Sequence, residues 1–296
     1  VITVRAYAKV NLYLDVVSKR ADGYHNIETI FQSVDLYDEL GVRDAAAGVE
    51  VECAHPLVPG GTENLVYRAG RLLGERAGIS RGARVTLVKR IPVGAGLGGG
   101  SADAAATLVG LNKLWDTPLA DNELAEIARE LGADVPFCLT GGTAAGTGIG
   151  DLLTPLPCRT GQSLLLVVPH DTVSTKEAYS WLEVETTSAE IAEGDPFSAK
   201  FDAVVSTYRD EGPRSVLYNR FERVVAKKHP EIEALRSALV DAGLQHVLMS
   251  GSGPAVFALV DEWETAAGIA QELSERYRFA GPCRFVDKGL ELVAED

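Results

Sequence analysis

One stretch limits what this chain can become. It runs Pro92-Val93-Gly94-Ala95-Gly96-Leu97-Gly98-Gly99-Gly100-Ser101-Ala102-Asp103-Ala104-Ala105-Ala106, with five glycines in the seven residues 94–100. Glycine admits positive φ and carries no side chain, so such a run can turn sharply and point peptide N–H groups at a ligand. Upstream, Ala83 to Val88 alternates like a strand, and downstream Ala104, Leu108, Leu111 and Trp115 recur at helical spacing. The context is strand, loop, helix. A helix N-terminus behind a glycine loop offers free N–H groups and partial positive charge, which suits a phosphate. Gly99 in particular would leave the room a phosphate needs.

The two familiar phosphate loops fit poorly. A Walker loop ends in Gly-Lys-Ser/Thr, whereas Ser101 follows Gly100 directly. A dinucleotide fingerprint needs an acidic residue about 20 positions on, at the end of a second strand. Here Leu111 to Asp121 reads as helix and loop. A flexible linker would not be flanked so closely by apolar strand and helix patterns. By itself the loop specifies an anion or nucleotide site.

The chain has 296 residues, enough for two domains, and its 46% hydrophobic and 24% charged content is that of a globular protein. A net charge of −14 argues against nucleic acid as a partner, which calls for a basic face. Cys53, Cys138, Cys158 and Cys283 lie far apart without metal-ligand spacing, so reduced thiols and a cytoplasmic location are expected. No basic-then-apolar leader begins the sequence, and no apolar run approaches membrane-spanning length, so no membrane partner is expected.

Val1 to Val17 alternates through Val4, Ala6, Ala8, Val10, Leu12 and Leu14, the period of a strand. Lys9 and Asn11 share its other face. A lysine in an apolar strand is usually a solvated edge residue, and nothing local separates that from a functional one. Asp22-Gly23 signals a turn into a second strand, Ile27 to Leu36. On local grounds Tyr24 and His25 would be a hairpin tip packed back on the sheet. Asn64 to Ala77 reads as helix with Thr62 as its cap, and Leu119 to Leu131 as another, stopped by Gly132 as a left-handed C′ residue. Asp134, two residues before Pro136, is a good N-cap for a short helix. The glycine-rich stretch 140–150 suggests strands with tight turns, and Pro155 and Pro157 suggest a domain boundary. Beyond it the chain mixes short strands (Ser163 to Val168, His246 to Met249, Ala255 to Val260, Leu290 to Val293) with helices, in an α+β manner. Glu183 to Pro196 is acidic and patternless, a loop. No internal repeat is visible.

Three motifs stand in order: Ala8-Lys9-Val10-Asn11-Leu12-Tyr13-Leu14, then Pro92 to Ala106, then Met249-Ser250-Gly251-Ser252-Gly253-Pro254-Ala255. This set resembles the GHMP small-molecule kinase superfamily, which includes galactokinase, homoserine kinase and mevalonate kinase. Within it, Arg20-Ala21-Asp22-Gly23-Tyr24-His25 and Leu131-Gly132-Ala133-Asp134-Val135-Pro136-Phe137 resemble the branch acting on 4-diphosphocytidyl-2-C-methyl-D-erythritol in the non-mevalonate isoprenoid pathway. The resemblance implies a two-domain α+β GHMP kinase fold. Residues 1–157 would form an N-terminal domain like the second domain of ribosomal protein S5, and residues 158–296 a ferredoxin-like domain. It implies a cytoplasmic kinase, monomer or homodimer, that uses ATP and Mg²⁺ to phosphorylate the 2-hydroxyl of that small-molecule substrate.

Carried onto this sequence, the resemblance makes Asp134 the catalytic base and Lys9 its partner, with Asn11 ordering the site. Gly94, Ala95, Gly96, Leu97, Gly98, Gly99, Gly100, Ser101, Ala102 and Asp103 would hold the ATP phosphates. Tyr24 and His25 would hold the cytidine, with Tyr179 facing it across the cleft. The chemistry is consistent. A positioned carboxylate accepts an alcohol's proton as the P–O bond forms. A nearby ammonium favours the charged carboxylate and offsets charge on the reacting oxygens, while amides and Mg²⁺ stabilise the phosphoryl group in flight. Several points stay open. No carboxylate is an obvious Mg²⁺ ligand, which leaves Ser101 or water. Asp103 could cap its helix or meet a metal. The Gly251/Gly253 loop could brace the phosphate loop or line the substrate's diphosphate. Another member of the superfamily, or a catalytically silent nucleotide or sugar sensor on the same fold, would share most of these residues.

Overall fold

Two long strands organise the molecule. The computed structural model describes residues 1–117, 119–184, 186–187 and 197–295. Strands β1 (Ile2–Arg20) and β2 (His25–Ala45) form an antiparallel hairpin, and β2 runs well past the Leu36 limit expected from its pattern. Next come β3 (Val49–Cys53), α1 (Leu65–Ala77), β4 (Gly82–Val88), α2 (Gly99–Leu114), α3 (Asp121–Leu131), α4 (Val135–Thr140), β5 (Thr143–Thr147) and β6 (Leu152–Leu156). The later chain adds β7 (Ser163–Val168), α5 (Thr175–Ser180), β8 (Thr186–Thr187), α6 (Ala199–Glu211), β9 (Tyr218–Asn219), α7 (Glu222–Lys228) and α8 (Pro230–Asp241). It closes with β10 (His246–Met249), β11 (Val256–Val260), α9 (Trp263–Leu273), β12 (Phe279–Arg284) and β13 (Leu290–Glu295).

The first sheet runs β13-β1-β2-β4-β3, with β5 on β2, β6 on β5, and the short β8 and β9 on β1. The second is an antiparallel sheet in the order β10-β11-β7-β12. Sheet membership therefore does not follow the chain: β8, β9 and β13 all return to the first strand. Thr186 and Thr187 pair with Lys19 and Arg20, so part of the expected loop 183–196 is strand; the rest of that stretch, apart from Glu183 and Val184, lies outside the described residues.

From Ala6 to Val16 every residue of β1 is buried. On one part of the sheet Val4, Ala6, Leu40 and Val42 pack against Ala105, Leu108 and Leu111 of α2. A Cβ on Gly110 would come within 2.9 Å of Val42, so glycine there lets α2 lie close on the sheet. A second core joins the two sheets, Ala8, Val10 and Leu12 meeting Leu164, Leu166 and Phe257. Lys9 thus belongs to a covered strand, and the solvated-edge alternative fails.

Two helix ends differ from expectation. Asn64, not Thr62, caps α1: its Oδ1 accepts from the Val66 N–H at 2.8 Å. Gly132 stops α3 in extended backbone, φ 168, and not in the left-handed region. Among the described residues no helix is long and apolar enough to cross a membrane.

Candidate active site

A cavity of about 1490 Å³ lies where the two sheets meet. It is lined by Lys9 and Asn11 of β1, the 94–101 loop, Asp103, Asp134, Tyr24, His25 and Tyr179. The structure therefore brings all but one of the expected site residues to one cavity. The exception is Ala102, fully buried in the core beneath α2.

The glycine loop has the backbone its sequence promised. Gly94, Gly96 and Gly98 take φ of 68, 78 and 69, a region that side chains disfavour. Its carbonyls are taken up by the protein. Ala95 O accepts from the Ala255 N–H at 3.1 Å, Leu97 O from the Lys9 N–H at 3.0 Å, and Gly98 O from the Ala102 N–H at 2.8 Å. Carbonyls held on the protein side favour amides on the cavity side, the polarity an anion requires. Gly99 also serves a need that the sequence did not mark. Its absent side chain would press on Ile91 at 3.0 Å and on Lys89 Nζ at 3.2 Å, so the glycine makes room for packing.

Asp103 does not cap α2, and one of its carboxylate oxygens is taken up by a lysine. Its Oδ2 accepts from Lys89 Nζ at 2.7 Å, and Lys89 also pairs with Asp38, whose Oδ1 accepts from the Arg90 and Ile91 N–H groups at 2.6 and 2.9 Å. Asp103 Oδ1 is buried without a hydrogen-bond partner. Burial drives the Asp103 carboxyl well above its usual range. Burial also pulls Lys89 down, but the two carboxylates more than offset it. Sequence reasoning missed this Asp38–Lys89–Asp103 cluster; the only local sign was a charged pair before Ile91-Pro92.

Asp134 occupies the N-cap position of α4, yet its side chain makes no capping bond. Instead Oδ2 lies 3.6 Å from Lys9 Nζ, with Asp134 one third exposed and Lys9 nearly buried. Lys9 Nζ also donates to Asn11 Oδ1 at 2.7 Å, and Asn11 Nδ2 donates to Thr29 Oγ1 at 2.8 Å. Phe137, one turn into α4, stacks on Phe31 at 4.9 Å, and Lys9 Nζ lies 5.6 Å from the Phe31 ring centre. That aromatic stack holds the start of α4 opposite the lysine.

At the other end of the cavity His25 and Tyr179 stack at 4.6 Å, and Tyr179 meets Phe221 edge-on at 4.8 Å. Burial, with Lys19 nearby, lowers the His25 pKa below its ordinary value. Burial, with the Asp134 charge, raises that of Tyr179. Tyr24 is 60% exposed and so is not packed back on the sheet. The motif around Ser250 meets both the glycine loop and the cavity. It braces the glycine loop through Ala255, and Gly251 and Ser252 also line the cavity. Beside the loop, Leu57, Val58, Asn64 and Leu65 form a further wall that no sequence signal marked.

The family described as GHMP kinases N terminal domain matches residues 64–142, and GHMP kinases C terminal matches residues 211–278. A 4-diphosphocytidyl-2-C-methyl-D-erythritol kinase of Gloeobacter violaceus is 43% identical over 277 residues, covering 92% of this chain and 90% of the relative. One of Caldanaerobacter subterraneus subsp. tengcongensis is 40% identical over 290 residues, covering 98% and 99%. A crystal structure of 4-(cytidine 5'-diphospho)-2C-methyl-D-erythritol kinase superposes with a TM-score of 0.78 at 35% identity, covering 95% of this chain and 99% of that one. Homoserine kinase from Cytophaga hutchinsonii, at 22% identity and a TM-score of 0.67 over 99% and 97%, shares the fold. The chain belongs to the 4-diphosphocytidyl-2-C-methyl-D-erythritol kinase family of the GHMP kinases.

Proposed function

We propose that Asp134 and Lys9 are the working pair of this kinase. The chain is an ATP-dependent small-molecule kinase that phosphorylates 4-diphosphocytidyl-2-C-methyl-D-erythritol in the non-mevalonate isoprenoid pathway. The transfer goes to the 2-hydroxyl. In that step the substrate oxygen bonds to the γ-phosphorus, the bond to the β,γ-bridging oxygen breaks, and ADP leaves. Asp134 takes the hydroxyl proton, and Lys9, fixed by Asn11, offsets charge at the reacting oxygens. The observation that carries this reading is the Asp134 carboxylate at a helix-capping position, turned from the helix to Lys9 at 3.6 Å.

The 94–101 loop and the start of α2 hold the phosphates, and Tyr24, His25 and Tyr179 the cytidine. Asp103 acts through Lys89, and Ala102 through the core, in shaping that loop. Among the described residues no group of three or more His, Cys, Asp or Glu could hold a metal ion alone. With this donor set Mg²⁺ would be carried mainly by the nucleotide's own phosphates, and Ser101, which lines the cavity, would be the candidate protein hydroxyl for it. When bound it supplies charge neutralisation on the phosphoryl oxygens. Residues 1–157 are assigned as the catalytic half and 158–296 as the second domain, with β13 completing the first sheet. The four free cysteines suit the cytoplasm, and the acidic chain has no call for nucleic acid. A monomer or homodimer is proposed.

The test is ADP release with Mg²⁺ and a panel of acceptors. Release with the cytidylyl substrate, and not with homoserine or mevalonate, is expected. Comparable turnover of either alternative would overturn the assignment.

A further inference from the structure

The Ser250 side chain has a place that neither the resemblance nor the proposed mechanism uses. It is fully buried, in the turn between β10 and β11. Its Oγ accepts from the Asn11 N–H at 3.3 Å and donates to the Gly96 carbonyl at 3.1 Å. One hydroxyl thus joins the strand that carries Lys9 and Asn11 to the middle of the glycine loop. Both ends matter. The Asn11 N–H lies beside an irregularity in the β1–β2 pairing, between Asn11 and Tyr13. Gly96 O lies between Ala95 O and Leu97 O, both of which backbone N–H groups hold.

The turn is itself fixed. Ser250 N donates to Ala255 O at 2.8 Å, Gly253 N donates to Ser250 O at 2.9 Å, and Asn219 Nδ2 donates to Met249 O and Gly251 O at 2.7 and 2.8 Å. A Cβ on Gly96 would collide with the Ser250 carbonyl oxygen, so loop and turn lie flush. The hydroxyl is held from behind and has little freedom to go elsewhere.

We propose that Ser250 is a positioning residue: its hydroxyl keeps the Gly96 carbonyl turned away from the phosphate site and registers the loop against Asn11 and Lys9. This rests on the reading of the loop as the phosphate cradle. Without the hydroxyl, Gly96 O loses its donor and a carbonyl dipole is free to turn toward the anion it should avoid. The Asn11 N–H loses its acceptor at the same time, which loosens the side chain that fixes Lys9.

The experiment compares Ser250→Ala and Ser250→Cys with the parent protein, measuring Kd for ADP and for CMP by calorimetry and kcat with saturating substrates. The cysteine leaves no cavity and is a weaker donor, so it serves where alanine leaves a cavity that unfolds the chain. In either folded variant the ADP Kd should rise about tenfold and kcat should fall, while the CMP Kd stays within about twofold. A merely structural role would lower Tm with ADP affinity unchanged, or would move both affinities together, and either outcome in both variants would overturn the proposal. Failure of the parent protein to bind ADP would instead count against the phosphate-cradle reading itself.

Discussion

Lys9 is 4% exposed on a strand buried from Ala6 to Val16, so its charge is tolerable only because Asp134 and Asn11 answer it. Methionine has nearly the same length, and a buried ion pair seldom adds net stability over an apolar fit. Lys9→Met is therefore expected to lower kcat much more than it raises KM for ATP, with Tm held or raised. A change confined to ATP affinity would make Lys9 a phosphate ligand and not Asp134's partner. Tyr24 offers the opposite contrast. Its ring is exposed in the open cavity, so Tyr24→Ala should leave Tm alone. The KM for the cytidylyl substrate should rise by a factor equivalent to about 1–3 kcal/mol of lost stacking. Tyr24→Phe should be mild. A drop in Tm with unaltered substrate KM would return Tyr24 to a packing role. Lys9, Asn11 and Asp134 could be grouped only through the resemblance, because local pattern alone left Lys9 a solvated edge residue and Asp134 a helix cap. The partners of Asp103 were not legible, since Lys89 and Asp38 reach it only once β2, β4 and α2 are assembled.

The elements repeat that division between local and assembled. Strand, loop and helix around 82–114 could be read directly, because periodicity and glycine density are properties of neighbours in sequence. The cap of α1 was misplaced by two residues, Asn64 and Thr62 both being good capping types. That β13 returns to β1 follows from no local pattern. One anchor of that return is Glu291, which accepts from Tyr7 Oη at 2.7 Å and pairs with Lys288 and Arg5. Lys288, then Tyr7, hold its carboxyl down to about 2, from an ordinary 4.5. A carboxylate depressed on folding contributes stability above its unfolded pKa, and loses it as pH falls from about 4.5 toward 2. Exposed pairs of this kind are worth about 1 kcal/mol or less. Glu291→Gln should thus lower Tm by roughly 1–4 °C at pH 7. In urea titrations its deficit against the parent protein should narrow once the pH drops below that upper value. A deficit that stays constant down to pH 3 or so would show that packing, and not charge, holds β13.

At the scale of the whole molecule the decisive feature is the junction. The second core welds the two sheets, and the cavity opens beside it, with the loop and α2 at one end and the stacked His25 and Tyr179 at the other. In the proposed assignment this would keep phosphates and cytidine apart, with the Lys9–Asp134 pair in the same cavity. A sequence that is −14 in net charge can offer an anion site there because the positive groups are local: loop amides, a helix start and cavity-lining lysines, Lys9 among them. The measurement that bears most directly on this account is a single-turnover reaction of Asp134→Asn alongside its Kd for ATP. Asn keeps the shape of Asp134 and removes the proton acceptor, so the transfer rate should fall by about 10²–10⁴ with ATP affinity and fold retained. Transfer at a near-parental rate in the folded variant would contradict the account, and Asp134 would then be no more than the first residue of a short helix.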